Sequence, residues 1–462
     1  DYSVDWGDGT TDNNVHGTKI HTYESPGTYE VTIIGEFPRI YFNGSWDFPK
    51  LLSIEQWGDN LWTSMEQAFS KCRNLDIKAT DIPNLELVTD YSYAFASCES
   101  LVGNETMNDW DVSNAKKMNG VFTSALLFNQ DIGDWDVGNV VEMISMFSNA
   151  DEFNQNIGNW NLSSAESIRA IFSGAKSFNQ DIGNWDVSNV TNMSHAFYNT
   201  GNFNQDISDW DISNVVYIDF MFFGAKAFNQ PIGKWNTSNL TSIKGLLWAA
   251  PSFNQTLADW DIGNITRMDN FLSGTALSMS NYDDTLIGWN NQSPNTSVTM
   301  DVRGHSYCTS QQARQNLIDV HGWRFKDDEL DCTASYFKTT WTTSNLGDSE
   351  NNQITVPTYP NELYNYTIDW GDGSIDNNIK GDITHTYNSE GTFQISIWGD
   401  FPGIYFNNSG DREKIIFIDN WGDIEWASMQ GSFHGCSNLE ILATDVPDFS
   451  QVSTLENMFT NC

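Results

Sequence analysis

Along most of the chain the large apolar residues return at a fixed interval. Trp stands at 110, 135, 160, 185, 210, 235 and 260, a step of 25. Phe128, Phe153, Phe178, Phe203, Phe228 and Phe253 keep the same step, each followed by Asn-Gln, and Ile132, Ile157, Ile182, Ile207, Ile232 and Leu257 hold the same phase. Apolar pairs four apart complete the pattern, from Met118/Phe122 to Met268/Leu272, and Met65/Phe69 and Tyr91/Phe95 extend it backwards to give nine coils. A unit this short cannot bury its own apolar face, so stacking of successive coils is the way to give these residues a continuous core. The pair at i, i+4 predicts one helical turn per coil. The stretch from Phe128 to Val137 interleaves Ile and Trp with Asp and Gly, and predicts a short strand between tight turns. After the last coil, Ala313, Leu317 and Ile318 mark one face of a helix, expected to cap the open end of the stack.

A second period is much longer. Asp5-Trp6-Gly7-Asp8-Gly9 recurs as Asp369-Trp370-Gly371-Asp372-Gly373, and the offset of 364 holds without a gap through Cys98 and Cys462. Residues 1–98 and 365–462 are therefore two diverged copies of one segment. Around these motifs apolar and polar residues alternate between Gly- and Asp-rich turns, which predicts a small antiparallel β-sandwich. The second copy is preceded by strand-like Phe337 to Thr343 and Gln353 to Thr358, which the first copy lacks. A sheet so truncated has open edges, so the sequence is expected to be a window on a longer chain.

The expected fold class is thus a multidomain repeat protein, in which a leucine-rich-repeat-like solenoid of short strand plus helical turn alternates with antiparallel β-sandwiches. The expected boundaries are 1–48 for the C-terminal part of a sandwich, 49–332 for a nine-coil solenoid with its cap at 276–332, 333–412 for a complete sandwich, and 413–462 for the start of the next solenoid.

Composition narrows the function. There are 61 acidic against 22 basic residues, a net charge of −39, which opposes nucleic acid and anionic membranes as partners. Aromatics make up 14% of the chain, too much for a disordered acidic tail. No stretch approaches the roughly 20 apolar residues of a membrane span.

Two resemblances follow from these residues. The Trp-Gly-Asp-Gly and His-Thr-Tyr series, with Gly27 to Val31, resembles PKD-type sandwich domains. The coil from Phe178 to Met193 resembles the BspA-type leucine-rich-repeat surface proteins, and the stretch from Tyr307-Cys308 to Asp331-Cys332 resembles their usual ending. The resemblance implies a secreted or surface-attached tandem-repeat adhesin of the Bacteroidota type, similar to the giant adhesins of gliding bacteria, whose partner is a glycan or protein ligand. Self-association along a filament is a second expectation, in which case the chain is a scaffold or sheath polymer. A third is a polysaccharide-binding region of a secreted hydrolase.

Candidate chemistry is sparse. Cys72 and Cys98 occupy one slot in adjacent coils, which sets their Cα atoms about 5 Å apart and within disulfide range. Either a disulfide or a buried ladder of reduced thiols fits, and the copies Cys436 and Cys462 repeat the choice. Cys308 and Cys332 bracket the cap helix and are expected to staple it. The Asp column at 111, 136, 186, 211 and 261 is expected to cap turns, with a cation between carboxylates as the alternative. Asp5, Asp8 and Asp12, repeated as Asp369, Asp372 and Asp376, concentrate the hard oxygen ligands that Ca²⁺ prefers, though turn chemistry explains the same residues. No cofactor is required by this reading, and no histidine stands at metal spacing or beside a nucleophile, so no enzymatic activity is expected. The Trp series is core rather than a sugar platform. Binding is expected at variable positions such as Lys176, Ser194, Tyr198, Tyr217 and Lys226.

Overall fold

The structure, a computed structural model, describes residues 1–42, 47–332, 336–360 and 362–462. They divide into two compact units, residues 1–305 with 312–328, and residues 306–311 with 329–462. The connection after Cys332 runs through residues 333–335, which lie outside the described residues.

The first unit opens with β1 (Tyr2–Asp5), β2 (Thr11–Val15) and β3 (Thr32–Gly35), an antiparallel sheet in the order β2-β1-β3. Two short strands, β4 (Ser53–Ile54) and β5 (Asp76–Ile77), then pair in parallel. Beyond them come the 25-residue coils, joined by isolated parallel bridges such as Glu142 to Ser167 and Ser167 to Asn192. At the end of the stack, helix α1 (Met279–Asn290) continues the core, because Trp289 is fully buried and its Nε1 donates to the Leu257 carbonyl at 2.9 Å. β6 (Thr299–Asp301) and β8 (Arg324–Lys326) pair in parallel, with helix α2 (Gln311–Asp319) between them in sequence; β7 (Ser306–Tyr307) and β9 (Glu329–Leu330), which belong to the second unit, form another parallel pair. Arg314 of α2 clasps the buried Asp328 carboxylate through two bonds of 2.7 Å, and Tyr282 of α1 donates to the same carboxylate at 3.0 Å.

The expected fold class does not hold. Among the described residues there are two α-helices, both outside the 25-residue coils, and the coils contain no α-helical turn and no regular strand, only short 3-10 turns at Glu105–Asp109 and Ile232–Lys234 that do not fall on the apolar pairs. The reason lies in where the backbone donors go. In the coil around Met143, alternate N–H groups leave the coil: Met143 donates to Ser167, Ser145 to Arg169, Phe147 to Ile171 and Asn149 to Ser173, at 2.7–3.1 Å. The N–H groups between them close tight turns three residues back, as in Ser148 to Ser145 and Ala150 to Phe147. A helix needs every donor for its own i−4 carbonyl, and these coils divert half of them. Ser145 and Asn149 have φ of +57° and +55°, which no right-handed helix accommodates. The apolar pair four apart therefore reports a double turn with two left-handed residues.

The interior does follow the 25-residue phase. Phe, Ile and Met of the pattern are fully buried and Trp is 3% exposed in the central coils. Each such side chain contributes about 1.5–3 kcal/mol on removal from water, and the rings stack from coil to coil, as Phe147 on Phe172 at 5.7 Å. From Trp135 to Trp260 each indole N–H donates to a carbonyl 28 residues earlier, as Trp185 to Ile157 at 3.0 Å and Trp210 to Ile182 at 3.1 Å. The Asn column forms a ladder in which Asn154 donates its backbone N–H to Asn129 Oδ1, and Asn179 to Asn154, both at 2.9 Å.

In the second unit a six-stranded sheet has the order β13-β12-β15-β10-β16-β17, built from β10 (Phe337–Thr342), β12 (Asn365–Asp369), β13 (Ile375–Ile379), β15 (Thr392–Asp400), β16 (Ile415–Asn420) and β17 (Glu440–Ile441). β11 (Gln353–Val356) and β14 (Ile383–Thr386) form a separate antiparallel pair. Because β16 and β17 join the same sheet, with β17 in parallel, sandwich and repeat do not alternate as two distinct fold types. The core of this sheet is aromatic, with Phe337, Trp341, Tyr366 and Trp370 fully buried.

Candidate functional site

The acidic loops come first. Asp5 Oδ1 accepts the Gly7 N–H at 3.0 Å, Asp12 accepts the Trp6 indole N–H at 3.0 Å and pairs with Lys19, and Asp8 accepts both the N–H and the hydroxyl of Thr10. The other oxygen of Asp8 lies 2.8 Å from His21 Nε2, and the His21 ring stacks on Trp6. The second copy repeats this placement, with Asp369 on Gly371, Asp376 on the Trp370 indole, and Asp372 on Ser374 and His385. These contacts hold the Asp8 and Asp372 carboxyls down at about 2, first through the neighbouring hydroxyl of Thr10 or Ser374. Each carboxylate of a loop thus serves a different partner. Among the described residues no group of three or more His, Cys, Asp and Glu side chains is placed to hold a metal ion.

The Asp column of the coils caps turns: Asp111, Asp136, Asp186, Asp211 and Asp261 each accept the N–H two residues on at 2.9–3.1 Å. Hydroxyl and backbone donors from Ser188 and Ser213 lower the carboxyls of Asp186 and Asp211.

Cys308 and Cys332 form a disulfide. Cys72, Cys98, Cys436 and Cys462 are free thiols, the second of the two alternatives open for the stacked pairs. The physical reason is in the sulfur contacts: the Cys98 thiol lies 3.2 Å from the Phe69 carbonyl and the Cys462 thiol 2.8 Å from the Phe433 carbonyl, one coil back. In each pair the second thiol is thus hydrogen-bonded to backbone rather than to sulfur.

The variable edge of the coils holds a different chemistry. In the left-handed turn, the column Thr123, Ser148, Ser173 continues as Tyr198, Phe223, Trp248 before returning to Ser273. Three residues earlier, the column Gly120, Ser145, Ala170 continues as His195 and Phe220 and returns to Gly245. These five rings lie outside the core and touch one another. Tyr198 stacks on Phe223 at 4.6 Å, Phe223 meets Trp248 edge-on at 5.0 Å, and His195 lies 5.5 Å from Tyr198 and 5.3 Å from Phe220. The Lys244 ammonium sits over the Phe220 ring at 5.4 Å.

Two features mark this cluster as more than surface decoration. His195 and Phe220 have φ of +61° and +59°, a conformation that costs a bulky residue about 1–2 kcal/mol; the adjoining coils place Ala170 and Gly245 there, and Tyr93, with φ of +59°, is a further aromatic residue at the same position in an earlier coil. His195 also buries Nδ1 without a hydrogen-bond partner, and burial, with Arg169 nearby, shifts its imidazole downward against the opposing pull of Asp219. On the variable edge, residues 166–177, 191–202, 216–227 and 241–252 carry the four cations Arg169, Lys176, Lys226 and Lys244 against the two acids Glu166 and Asp219. With Asp151, which pairs with Lys176, there are three acids to four cations, so this edge escapes the strong negative charge of the rest of the chain, whose net charge is −39.

Of the variable residues named from sequence, Tyr198 belongs to this cluster, Ser194 is buried next to His195 in sequence, Tyr217 and Lys226 are exposed, and Lys176 pairs with Asp151 at 2.6 Å. His195, Phe220, Phe223, Trp248 and Lys244 were not anticipated. The signal was available in the columns, where three successive coils replace Ser or Thr by an aromatic residue.

Residues 63–185 and 166–285 match the DUF285 family, described as a Mycoplasma protein of unknown function. The matched span is the repeated coils, and there the chain is similar to that family, which fits the resemblance to BspA-type repeat proteins. It leaves the Asp-Trp-Gly-Asp-Gly modules unmatched. No curated protein and no solved structure matches the chain. No helix of the described residues is long and apolar enough to cross a membrane.

Proposed function

We propose that the chain is a segment of an extracellular, surface-attached tandem-repeat adhesin of the Bacteroidota type, and that it holds its ligand on the aromatic edge around Tyr198, Phe223 and Trp248. The observation that carries this reading is the run of five contacting rings outside the core, two of them at left-handed positions. Strained bulky residues persist where a surface uses them, and these five rings are half-buried, so they offer contiguous apolar surface to a ligand. The local excess of positive charge favours a glycan or protein ligand that combines anionic and apolar groups, with no catalysis and no cofactor involved. The Cys308–Cys332 disulfide supports an oxidising compartment, and the 364-residue duplication supports a long repeated chain.

The test is retention of the purified chain on immobilised acidic glycans, neutral glycans and cell-surface extracts. Trp248→Ala combined with Phe223→Ala is expected to reduce retention about tenfold or more, as for truncated hot-spot residues, with an unchanged unfolding midpoint. Undiminished retention in the double variant sinks the reading.

A further inference from the structure

Three rings of the coils stand at left-handed backbone positions, Tyr93, His195 and Phe220, and two of them lie over a glycine of the next coil. A Cβ built at Gly120 would come within 2.5 Å of the Tyr93 ring, and one at Gly245 within 2.4 Å of the Phe220 ring. His195 has no such glycine. The equivalent residue of the next coil is Phe220, and the two rings lie 5.3 Å apart, with Tyr198 of the same coil 5.5 Å from the imidazole. His195 is therefore packed against two rings, and its Nδ1 is buried without a hydrogen-bond partner.

A neutral imidazole accommodates this, because one of its nitrogens carries no proton, whereas the charged ring has an N–H at both. An N–H at Nδ1 would be a buried donor with no acceptor, which costs its full desolvation. The charged groups around the ring do not reverse this. Arg169 of the preceding coil opposes a charge on His195, and the Lys244 ammonium already lies over the Phe220 ring at 5.4 Å. Asp219 of the next coil favours the charge, but its Oδ1 accepts the Ser242 hydroxyl and the Lys244 N–H. Burial is the larger effect and shifts the imidazole downward.

We propose that His195 is an acid-sensitive latch on the aromatic edge: neutral, it packs against Tyr198 and Phe220, and protonated, it leaves them for solvent and loosens the rings. The backbone is coupled to this movement, because the His195 N–H donates to the Asp219 carbonyl at 3.1 Å and the Asn199 N–H to the Phe223 carbonyl at 2.7 Å. Resting on the assignment of the ligand to this edge, the consequence is that ligand is held near neutral pH and released in acid, the range in which histidine acts as a switch.

The experiment follows the histidine ring carbons of the full, unliganded chain by NMR from about pH 8 to about pH 4.5, with His195 assigned from the His195→Phe variant and, where the larger ring does not fit, from His195→Ala. The His195 midpoint is expected below the 6.5 of an unperturbed imidazole, with the Tyr198 and Phe220 ring signals moving at the same midpoint. Amide exchange at His195 and Asn199, corrected for its intrinsic pH dependence, is expected to quicken about tenfold there. A midpoint at or above 6.5, rings that do not move at the His195 midpoint, or the same ring movement in a chain without His195 overturns the latch. Retention on the immobilised glycans separates it from the ligand assignment. Ring movement at the His195 midpoint with unchanged retention upholds the latch and removes the ligand from this edge, whereas an acid loss of retention shared by the His195 variants overturns the latch and leaves the assignment standing.

Discussion

Gly245 lies directly beneath the ring of Phe220: a Cβ built at position 245 would come within 2.4 Å of the ring carbons Cδ1 and Cε1. Gly245 also has φ of +59°, so a side chain there is opposed both by the ring and by its own backbone. Gly245→Ala is expected to cost about 1–2 kcal/mol and to displace Phe220 from under the Lys244 ammonium. Denaturant titration reads the first effect, and loss of ligand retention by a chain that still folds reads the second. If Gly245→Ala leaves retention unchanged, the placement of Phe220 is not part of the binding edge.

Trp185 and Trp248 test the division between core and edge. Trp185 is 3% exposed and bonded to the Ile157 carbonyl, whereas Trp248 is half-buried beside Phe223. Trp185→Ala is expected to destabilise by about 3–5 kcal/mol, the usual cost of deleting a core aromatic residue. Trp248→Ala is expected to cost about 1 kcal/mol or less. Comparable losses in the two variants would place Trp248 in the core and remove the main reason for assigning it to a ligand.

Much of this arrangement was legible in the spacing of Trp185, Phe178, Ile182 and Met193, because a fixed step of 25 can only keep these residues inside if coils lie in register. The turn chemistry of Asp186 and Ser188 was legible too, since it is local. The path of the backbone between Met193 and Thr200 was not. An apolar pair four apart has the same signature in a helical turn and in a double turn with two left-handed residues, and only the inter-coil destinations of the backbone donors separate them. The edge cluster was hidden for another reason. Tyr198, Phe223 and Trp248 look like ordinary members of an aromatic-rich chain along the sequence, and stand out only when each is compared with the Ser or Thr of the neighbouring coils.

The thiols make a sharp prediction about reactivity. Burial pushes the Cys72 thiol up to about 12 and raises Cys98 and Cys436 further, so these groups have neither the thiolate nor the access that alkylation needs. Under native, non-reducing conditions a maleimide is expected to leave Cys72, Cys98 and Cys436 unlabelled, with these three labelled on unfolding and Cys308 and Cys332 only after reduction. Mass spectrometry of the labelled peptides reads this order. Failure of Cys72 and Cys98 to label even in the unfolded, unreduced chain would mean that they are bonded to each other.

The paired His–Asp contacts of the two copies predict a specific response to acid. The Asp372 carboxyl, held by the Ser374 hydroxyl first and also by His385, stays ionised to about 2, against 3.8 for an unperturbed carboxyl, and Asp8 behaves alike through Thr10 and His21. A carboxyl lowered by folding binds fewer protons in the folded than in the unfolded chain between those two values. Its stabilising contribution is therefore complete above 3.8 and is lost as pH falls through about 2. Side-chain carbonyl shifts of labelled Asp are expected to give midpoints near 2 for both residues, and Asp372→Asn is expected to flatten the stability profile of its module over that window. Titration of Asp372 near 3.8 in a chain that is still folded would show that the Ser374 and His385 contacts do not persist in solution, and with them the lock on the Trp370 turn.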